Sequence, residues 1–546
     1  MFVYSPLSLF DSWKSILLGT TILAIVYGVW KVLYLFIIRP YLSPLRNLPG
    51  PKSSSILFGN FSEIFKAGPG ELHAKWVDEY GITLSNRLMT YDSKALSYIL
   101  NHSYDFQKPE EVRTNLAMLL GEGVLFAEGD SHKRQNPSFA LSHIRNLTGI
   151  FHEKSQQLRD LLLVQAADKA YITDVLPWLG KATLDIIGLA GFDYEFNALN
   201  PDGKETELNS AFMTIFKQGT RITFLGILQS LIPLFRIIPT PRSRSIAKAT
   251  KVMNRIGQSL VDNKRQAILA TAAEKDGISG DAQIEKSSIT TRDLLSRLMA
   301  ANMATDLSEN QRLSDAEVFG QIPTFLVAGN ETTSTATVWC LYALSRNTAV
   351  QNKLREELLS VKTDTPSMEE LNALPYLDSV IRETLRLYSP VSSTIRMATK
   401  DDIIPLGTPF TDKRGQLRHE ILIKKGDIIF IPILPLNTYK GIWGEDAAEF
   451  RPERWQSLPA KASEIPGVAS GMLTFIAGPR SCIGYRFAIV EFKCLVFSLI
   501  RALNFGVADP THEIIKRSNI VTRPAIKSEA DKGAQLPLRI TPWRAA

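Results

Sequence analysis

The chain has 546 residues, 45% of them hydrophobic, which is enough to bury a large core. Its three cysteines, Cys340, Cys482 and Cys494, are too few for a disulfide framework and suit a reducing compartment. The net charge of +7 comes from dispersed Lys and Arg with no basic run interleaved with aromatics, so nucleic acid is a poor partner, and an anionic membrane surface or an acidic protein a better one.

In chain order, the first predicted element spans Ile16 to Ile38, apolar except for Gly19, Thr20, Thr21, Gly28 and Lys31. As a helix it would extend about 35 Å, enough to cross a bilayer core. A cleaved signal peptide fits less well, because the apolar stretch is long and no small-x-small cleavage site follows it. Arg39, Arg46 and Lys52 follow the segment, and the positive-inside bias places the large remainder in the cytoplasm. Pro40, Pro44, Pro49, Gly50 and Pro51 then form a stiff connector. The expected organisation is a short lumenal terminus at 1–15, a transmembrane anchor at 16–38, a Pro-rich hinge at 39–52 and one large domain at 53–546. Sequons at Asn60, Asn101, Asn146 and Asn330 would face the cytoplasm, and Asn330 falls within a predicted helix, so they read as accidental.

Ser314-Asp-Ala-Glu317 has the form of a capping box, and helical patterning continues to about Ser345. The middle of this long helix reads Ala328-Gly329-Asn330-Glu331-Thr332-Thr333. Gly329 would open room beside the helix axis, and a Thr hydroxyl can bond the i−4 carbonyl. Taken alone, the pattern suits an exposed surface helix better than a functional site.

Farther on, Val350, Leu354, Leu358 and Val361 mark an amphipathic helix, and Leu374-Pro375 starts another. Glu383 and Arg386 share one face of that second helix at i,i+3, an arrangement common in surface ion pairs. Ile421-Leu-Ile and Ile428-Ile-Phe-Ile, separated by Lys-Lys-Gly-Asp, give a hairpin signal. Near the carboxyl end, Phe475-Ile-Ala-Gly478-Pro-Arg480-Ser-Cys482-Ile-Gly484 forms a bent loop opening into a helix predicted over Tyr485–Ala502. Helix N-H groups and dipole would favour the thiolate of Cys482, and Gly478 and Gly484 would let backbone approach a flat ligand. A cysteine prepared to hold a metal is the reading these residues support.

The loop resembles the haem-ligand loop of the cytochrome P450 family, Phe-x-x-Gly-x-Arg-x-Cys-x-Gly. The motif in the long helix, about 150 residues earlier, matches the family's distal helix. Glu383 and Arg386, with Phe450-Arg-Pro-Glu-Arg454-Trp455, resemble its Glu-x-x-Arg helix and Pro-Glu-Arg loop. The likeness covers most of residues 45 to 540 and implies a mainly α fold with small β-sheets behind an N-terminal transmembrane helix. It implies haem b with Cys482 as axial thiolate, Phe475, Gly478 and Gly484 in the cofactor loop, and Arg396 and Arg480 at the propionates. It also implies an O2 pocket at Ala328 and Gly329, proton relay through Glu331 and Thr332, and a structural charge network of Glu383, Arg386 and Arg454.

The implied activity is insertion of one oxygen atom from O2 into a hydrophobic compound of terpenoid, steroid or polycyclic aromatic type, as in fungal members of the family. Electrons would come from NADPH through a cytochrome P450 reductase docking near Lys493 and Arg486, at the endoplasmic reticulum membrane. Rivals are an isomerase or dehydratase on the same scaffold, and an inactive, haem-deficient relative. Substrate contacts would fall at about 105–128, 205–240, 391–396 and 515–523, with Phe224-Leu225 and Ile232-Pro-Leu-Phe235 suggesting a lipophilic ligand.

Two segments depart from the family pattern. Gly129-Asp-Ser-His132-Lys133-Arg134-Gln135 is similar to the start of a helix whose arginine reaches a propionate, but Asn136 stands in the arginine's place and about one turn is missing. Lys133 or Arg134 would have to substitute, or haem retention would be weakened. The stretch from Tyr80-Gly81 to Asp92, resembling the first hairpin, is short as well.

Overall fold

The structure is a computed structural model that describes residues 18–544 except 24–25, 31–32, 35–37, 56–58, 82, 85–87, 136–140, 201–206, most of 209–238, 277–292, 304–311, 470 and 519. A helix at Asp315–Arg346 runs through the middle of the fold, capped as expected by reciprocal bonds between Ser314 and Glu317. It is buried along nearly its whole length, and its most extensive neighbour is the helix Val175–Phe192. Thr183 Oγ1 donates to Asn330 Oδ1 across that crossing, at 2.5 Å. The sequon asparagine is therefore a buried packing residue, as its accidental reading required.

Gly329 makes room beside the helix axis, as expected, and a neighbouring helix uses that room. A Cβ there would lie 2.8 Å from Cδ1 and Cγ1 of Ile187, so its missing side chain lets the two helices cross closely. Pro323 also lies inside this helix, and having no N-H it removes the ladder bond to residue 319.

The helix Tyr485–Ala502 forms over the expected residues and packs on Leu141–Gln165. Pro375 occupies the first turn of Pro375–Leu387, where its missing N-H costs no ladder bond. Around this helical body lie small sheets. The five-stranded one has the order Thr83–Leu84, Leu88–Thr90, Ile428–Ile431, Thr394–Ala398, Phe106–Gln107, and only its second and third strands run parallel. The first hairpin is as short as its sequence suggests, with Thr83 opposite Thr90 and Leu84 opposite Met89.

The hairpin expected around Lys424-Lys-Gly-Asp427 does not form. Leu417–Ile423 pairs back onto Asp402–Thr411, while Ile428–Ile431 enters the five-stranded sheet between Leu88–Thr90 and Thr394–Ala398. The turn exists, with Gly426 at φ 88°, but it carries the chain from one sheet to another. Alternation and a turn signal fix strands and a bend; they do not select partners.

Among the described residues one helix is long and apolar enough to cross a membrane, Val175–Phe192, and 67% of it is buried inside the fold, as befits a core helix. Within the expected anchor at 16–38, Leu18–Trp30 is a shorter apolar helix that exposes Leu18, Leu23, Val26 and Trp30; much of the rest lies outside the described residues.

Candidate active site

Between the central helix and the loop before Tyr485–Ala502 lies a cavity of about 730 Å³. Cys482 is the one cysteine that lines it, while Cys340 and Cys494 are buried in the core. The loop is tied by Cys482 N-H donating to Phe475 O at 2.9 Å, and Phe475, Arg480 and Gly484 share the same wall. Ile476, in the same loop, has a φ of 57°, an unusual conformation for a β-branched residue that places strain beside the thiol.

Gly478 is not on the cavity wall. Its φ is 68°, and a Cβ would sit 2.3 Å from the Leu100 carbonyl oxygen, so it serves the packing of the loop on helix Ser93–Asn101. Gly484 does line the cavity, and a Cβ there would meet nothing within 4 Å.

The thiol is accessible, and that surface opens into the cavity. Burial pushes its pKa up to about 11, against a smaller lowering by the Gly484 N-H. Without a metal on the sulfur, the apolar surroundings outweigh the helix-end N-H groups expected to favour the thiolate.

Ala328, Gly329, Glu331 and Thr332 line the cavity from the central helix. Thr332 Oγ1 donates to Ala328 O at 2.7 Å, the i−4 bond anticipated from the sequence. Glu331 is paired with Arg523 on the strand Thr522–Ile526, a partner that no motif announced. Ile520 and Val521, just before that strand, also line the cavity, together with Val391 and Ile395. The stretches 391–396 and 515–523 thus reach the expected place. Phe224-Leu225 and Ile232–Phe235 lie outside the described residues.

At one edge of the cavity four basic side chains gather. Arg396 comes from strand Thr394–Ala398, Arg480 from the cysteine loop, Lys108 from just after strand Phe106–Gln107, and His132 from helix Gly129–Gln135. One carboxylate faces them: Glu128 Oε1 accepts from Arg480 Nη2 at 2.6 Å and from Lys108 Nζ at 3.3 Å. Arg396 donates only to neutral oxygens, Thr394 Oγ1 at 3.0 Å and Ile395 O at 2.8 Å, and Arg480 Nη1 has no hydrogen-bond partner. Burial and mutual repulsion push Lys108 down to about 7 and His132 to about 3, so His132 is a neutral donor. Arg396 and Arg480, joined by a Lys108 that is only partly protonated near neutral pH, outnumber the one carboxylate and leave excess positive charge in a buried place. That excess, beside an accessible thiol, suits a flat metal-bearing ligand with two carboxylates.

Lys133 and Arg134 do not join this cluster. Lys133 is exposed, and Arg134 pairs with Glu317 at 3.0 Å on the outside of the central helix. Asn136 lies outside the described residues. Lys493, expected to help dock a reductase, is buried and bonded to Asp378 at 2.9 Å and Asn372 at 3.0 Å, so it cannot present its charge to a partner; Arg486 is exposed.

Away from the cavity, Glu383 receives two bonds from Arg386, at 2.8 and 2.9 Å, one from Arg454 at 2.8 Å and one from the Trp455 indole at 3.0 Å. All three charged side chains are buried. The i,i+3 pair is thus the centre of an interior network.

The sequence model described as Cytochrome P450 matches residues 49–527. Among curated relatives, "Cytochrome P450 monooxygenase 205" of Postia placenta is 50% identical over 97% of this chain and 98% of its own length. "Cytochrome P450 monooxygenase 128" of the same fungus is 48% identical over 95% and 96%. "Cytochrome P450 monooxygenase claQ" of Ampulloclitocybe clavipes is 34% identical over 94% and 98%.

Proposed function

The chain belongs to the cytochrome P450 family, whose members are monooxygenases that hold haem through a cysteine thiolate, and we propose that here the ligand is Cys482 and the substrate a lipophilic organic compound. One observation carries this reading: Cys482 faces a large cavity whose far wall bears Ala328, Glu331 and Thr332. Bound haem supplies activation of O2 and transfer of one oxygen atom to a C-H bond.

The chain's own residues do the rest. Cys482 would give up its proton on coordination, because a thiol that takes a metal is deprotonated. Arg396 and Arg480 hold the propionates and orient the ring. Glu331 and Thr332 move protons toward the reaction centre; for this the Thr332 hydroxyl turns from the Ala328 carbonyl, and Glu331 exchanges its contact with Arg523. Apolar walls at Val391, Ile395, Ile520 and Val521 exclude water and favour substrates such as terpenoids, steroids or polycyclic aromatics.

Electrons come from NADPH through a separate flavoprotein reductase, and the outward apolar helix Leu18–Trp30 belongs to an anchor in the endoplasmic reticulum membrane. Retention of Glu331 and Thr332 favours monooxygenation over isomerase or dehydratase chemistry. The test is the reduced, CO-bound difference spectrum of full-length protein in microsomes. The unaltered chain should show the red-shifted thiolate-CO band and Cys482→Ser should lose it. A band that survives this substitution would exclude Cys482 as the ligand.

A further inference from the structure

Glu331, which moves protons in the function proposed above, is held by an arginine from outside the central helix. Arg523 reaches it from the strand Thr522–Ile526, 192 positions later in the chain. Resting on the haem-thiolate reading above, we propose that Arg523 is a positioning residue for proton delivery: its guanidinium restrains the Glu331 carboxylate, which must leave it to face Thr332.

Anchoring the strand does not account for the pair. Thr522 N-H donates to Pro390 O at 2.7 Å, and the Trp339 indole of the central helix donates to Thr522 O at 2.8 Å. On the other side, Gln535 N-H donates to Pro524 O at 3.0 Å. The residues before and after Arg523 are thus already fixed through their backbone. Charge gives a second reason. Arg523 stands directly opposite Arg517 of the strand Ile514–Ser518, and like charges facing each other across a two-stranded ribbon repel. Arg517 donates to Ala530 O, while Arg523 turns to Glu331 for its counter-charge.

The two members of the pair are unequally placed. Glu331 lines the cavity with its side chain 10% exposed, whereas Arg523 stands outside the cavity wall at 26%, so the arginine draws the acid outward. Thr332 Oγ1 meanwhile donates to Ala328 O. Each relay group is therefore bonded elsewhere, and a proton passed between them needs both to turn. Turning the hydroxyl breaks one neutral bond, whereas freeing the acid breaks a charge-assisted contact about twice as strong. Arg523 thus governs the harder of the two movements. Ile520 and Val521, on the approach to the same strand, line the cavity, so the segment that meets the substrate also restrains the acid.

The experiment records the C-O stretching band of ferrous, CO-bound, full-length holoprotein by infrared spectroscopy. A carboxylate released toward the cavity changes the field at the CO, in surroundings that screen charge poorly. Arg523→Leu should displace or split the band, and Arg523→Lys, which keeps the charge, should return it toward the unaltered position. In a Glu331→Gln background Arg523→Leu should give no further displacement, because no carboxylate remains to be released. Arg523→Gln supplies the same comparison if Arg523→Leu is isolated without haem. An unmoved band in Arg523→Leu would overturn the proposal. So would a displacement that persists undiminished in the Glu331→Gln background, the mark of a merely structural change. Absence of the red-shifted CO absorption band in the unaltered chain would instead refute the haem-thiolate reading itself, and this proposal with it.

Discussion

Single residues in this protein are decided by where charge is left after neighbours have been counted. Glu383 is the clearest case. Two guanidiniums and an indole converge on one carboxylate away from water, and Arg386 also donates to the carbonyls of Asn437 and Ala447, at 3.0 and 2.6 Å. Glu383→Gln would leave buried Arg386 without its counter-charge and Arg454 with Asp446 alone, at a cost of about 3–5 kcal/mol. Urea unfolding would read this directly; a loss under about 1 kcal/mol would mean that the network is not what holds the segment around Arg454. The pair was legible in the sequence as a motif, yet its burial was not, since i,i+3 spacing puts charges on one face without saying what covers that face. Lys108 and Arg523 left no trace in the sequence because each meets its partners through the fold, Arg523 reaching an acid 192 positions earlier in the chain.

At the scale of elements, the crossing of Asp315–Arg346 over Val175–Phe192 borders the cavity, which Gly329 and Ile187 both line. The approach is close because Gly329 lacks a Cβ where Ile187 packs. Gly329→Ala would gain roughly 0.5–1 kcal/mol of helix propensity. It would lose about 1–3 kcal/mol to overpacking against a stiff β-branched side chain. The net expectation is a destabilisation of about 1 kcal/mol, and in an Ile187→Ala background Gly329→Ala should cost nothing further, because both contacting atoms, Cδ1 and Cγ1, are then gone. If denaturant midpoints show Gly329→Ala to be neutral or stabilising, the glycine is not there for the crossing. The helices were well anticipated: a capping box, a proline in the first turn and long apolar periodicity each act within a few residues. Sheet partners were not, because the strand Ile428–Ile431 lies between Leu88–Thr90 and Thr394–Ala398, segments distant in the chain that no local pattern names.

Across the whole molecule, the cation cluster makes stability depend on pH. Lys108 sits at about 7 in the folded chain against an ordinary 10.5, pressed by burial, Arg480 and Arg396, with Glu128 acting the other way. Between those values the unfolded chain holds a proton that the folded chain does not, so this group adds stability as pH rises through the window, and its cost is complete below about 7. Haem-free protein should therefore unfold at higher urea concentration at pH 9 than at pH 7, and Lys108→Met should flatten that rise. An unchanged slope in the variant would show that Lys108 stays charged in the fold. The sequence by itself determined the chemistry and the helices, since the Cys482 loop, the acid-alcohol pair at Glu331 and Thr332 and the helix caps are written in contiguous residues whose geometry is local. Only the tertiary structure decided which side chains share the cavity edge, that Lys493 is buried, and that Lys108 lies beside Arg396 and Arg480. Burial and charge balance arise from segments hundreds of residues apart, and no local pattern carries that sum.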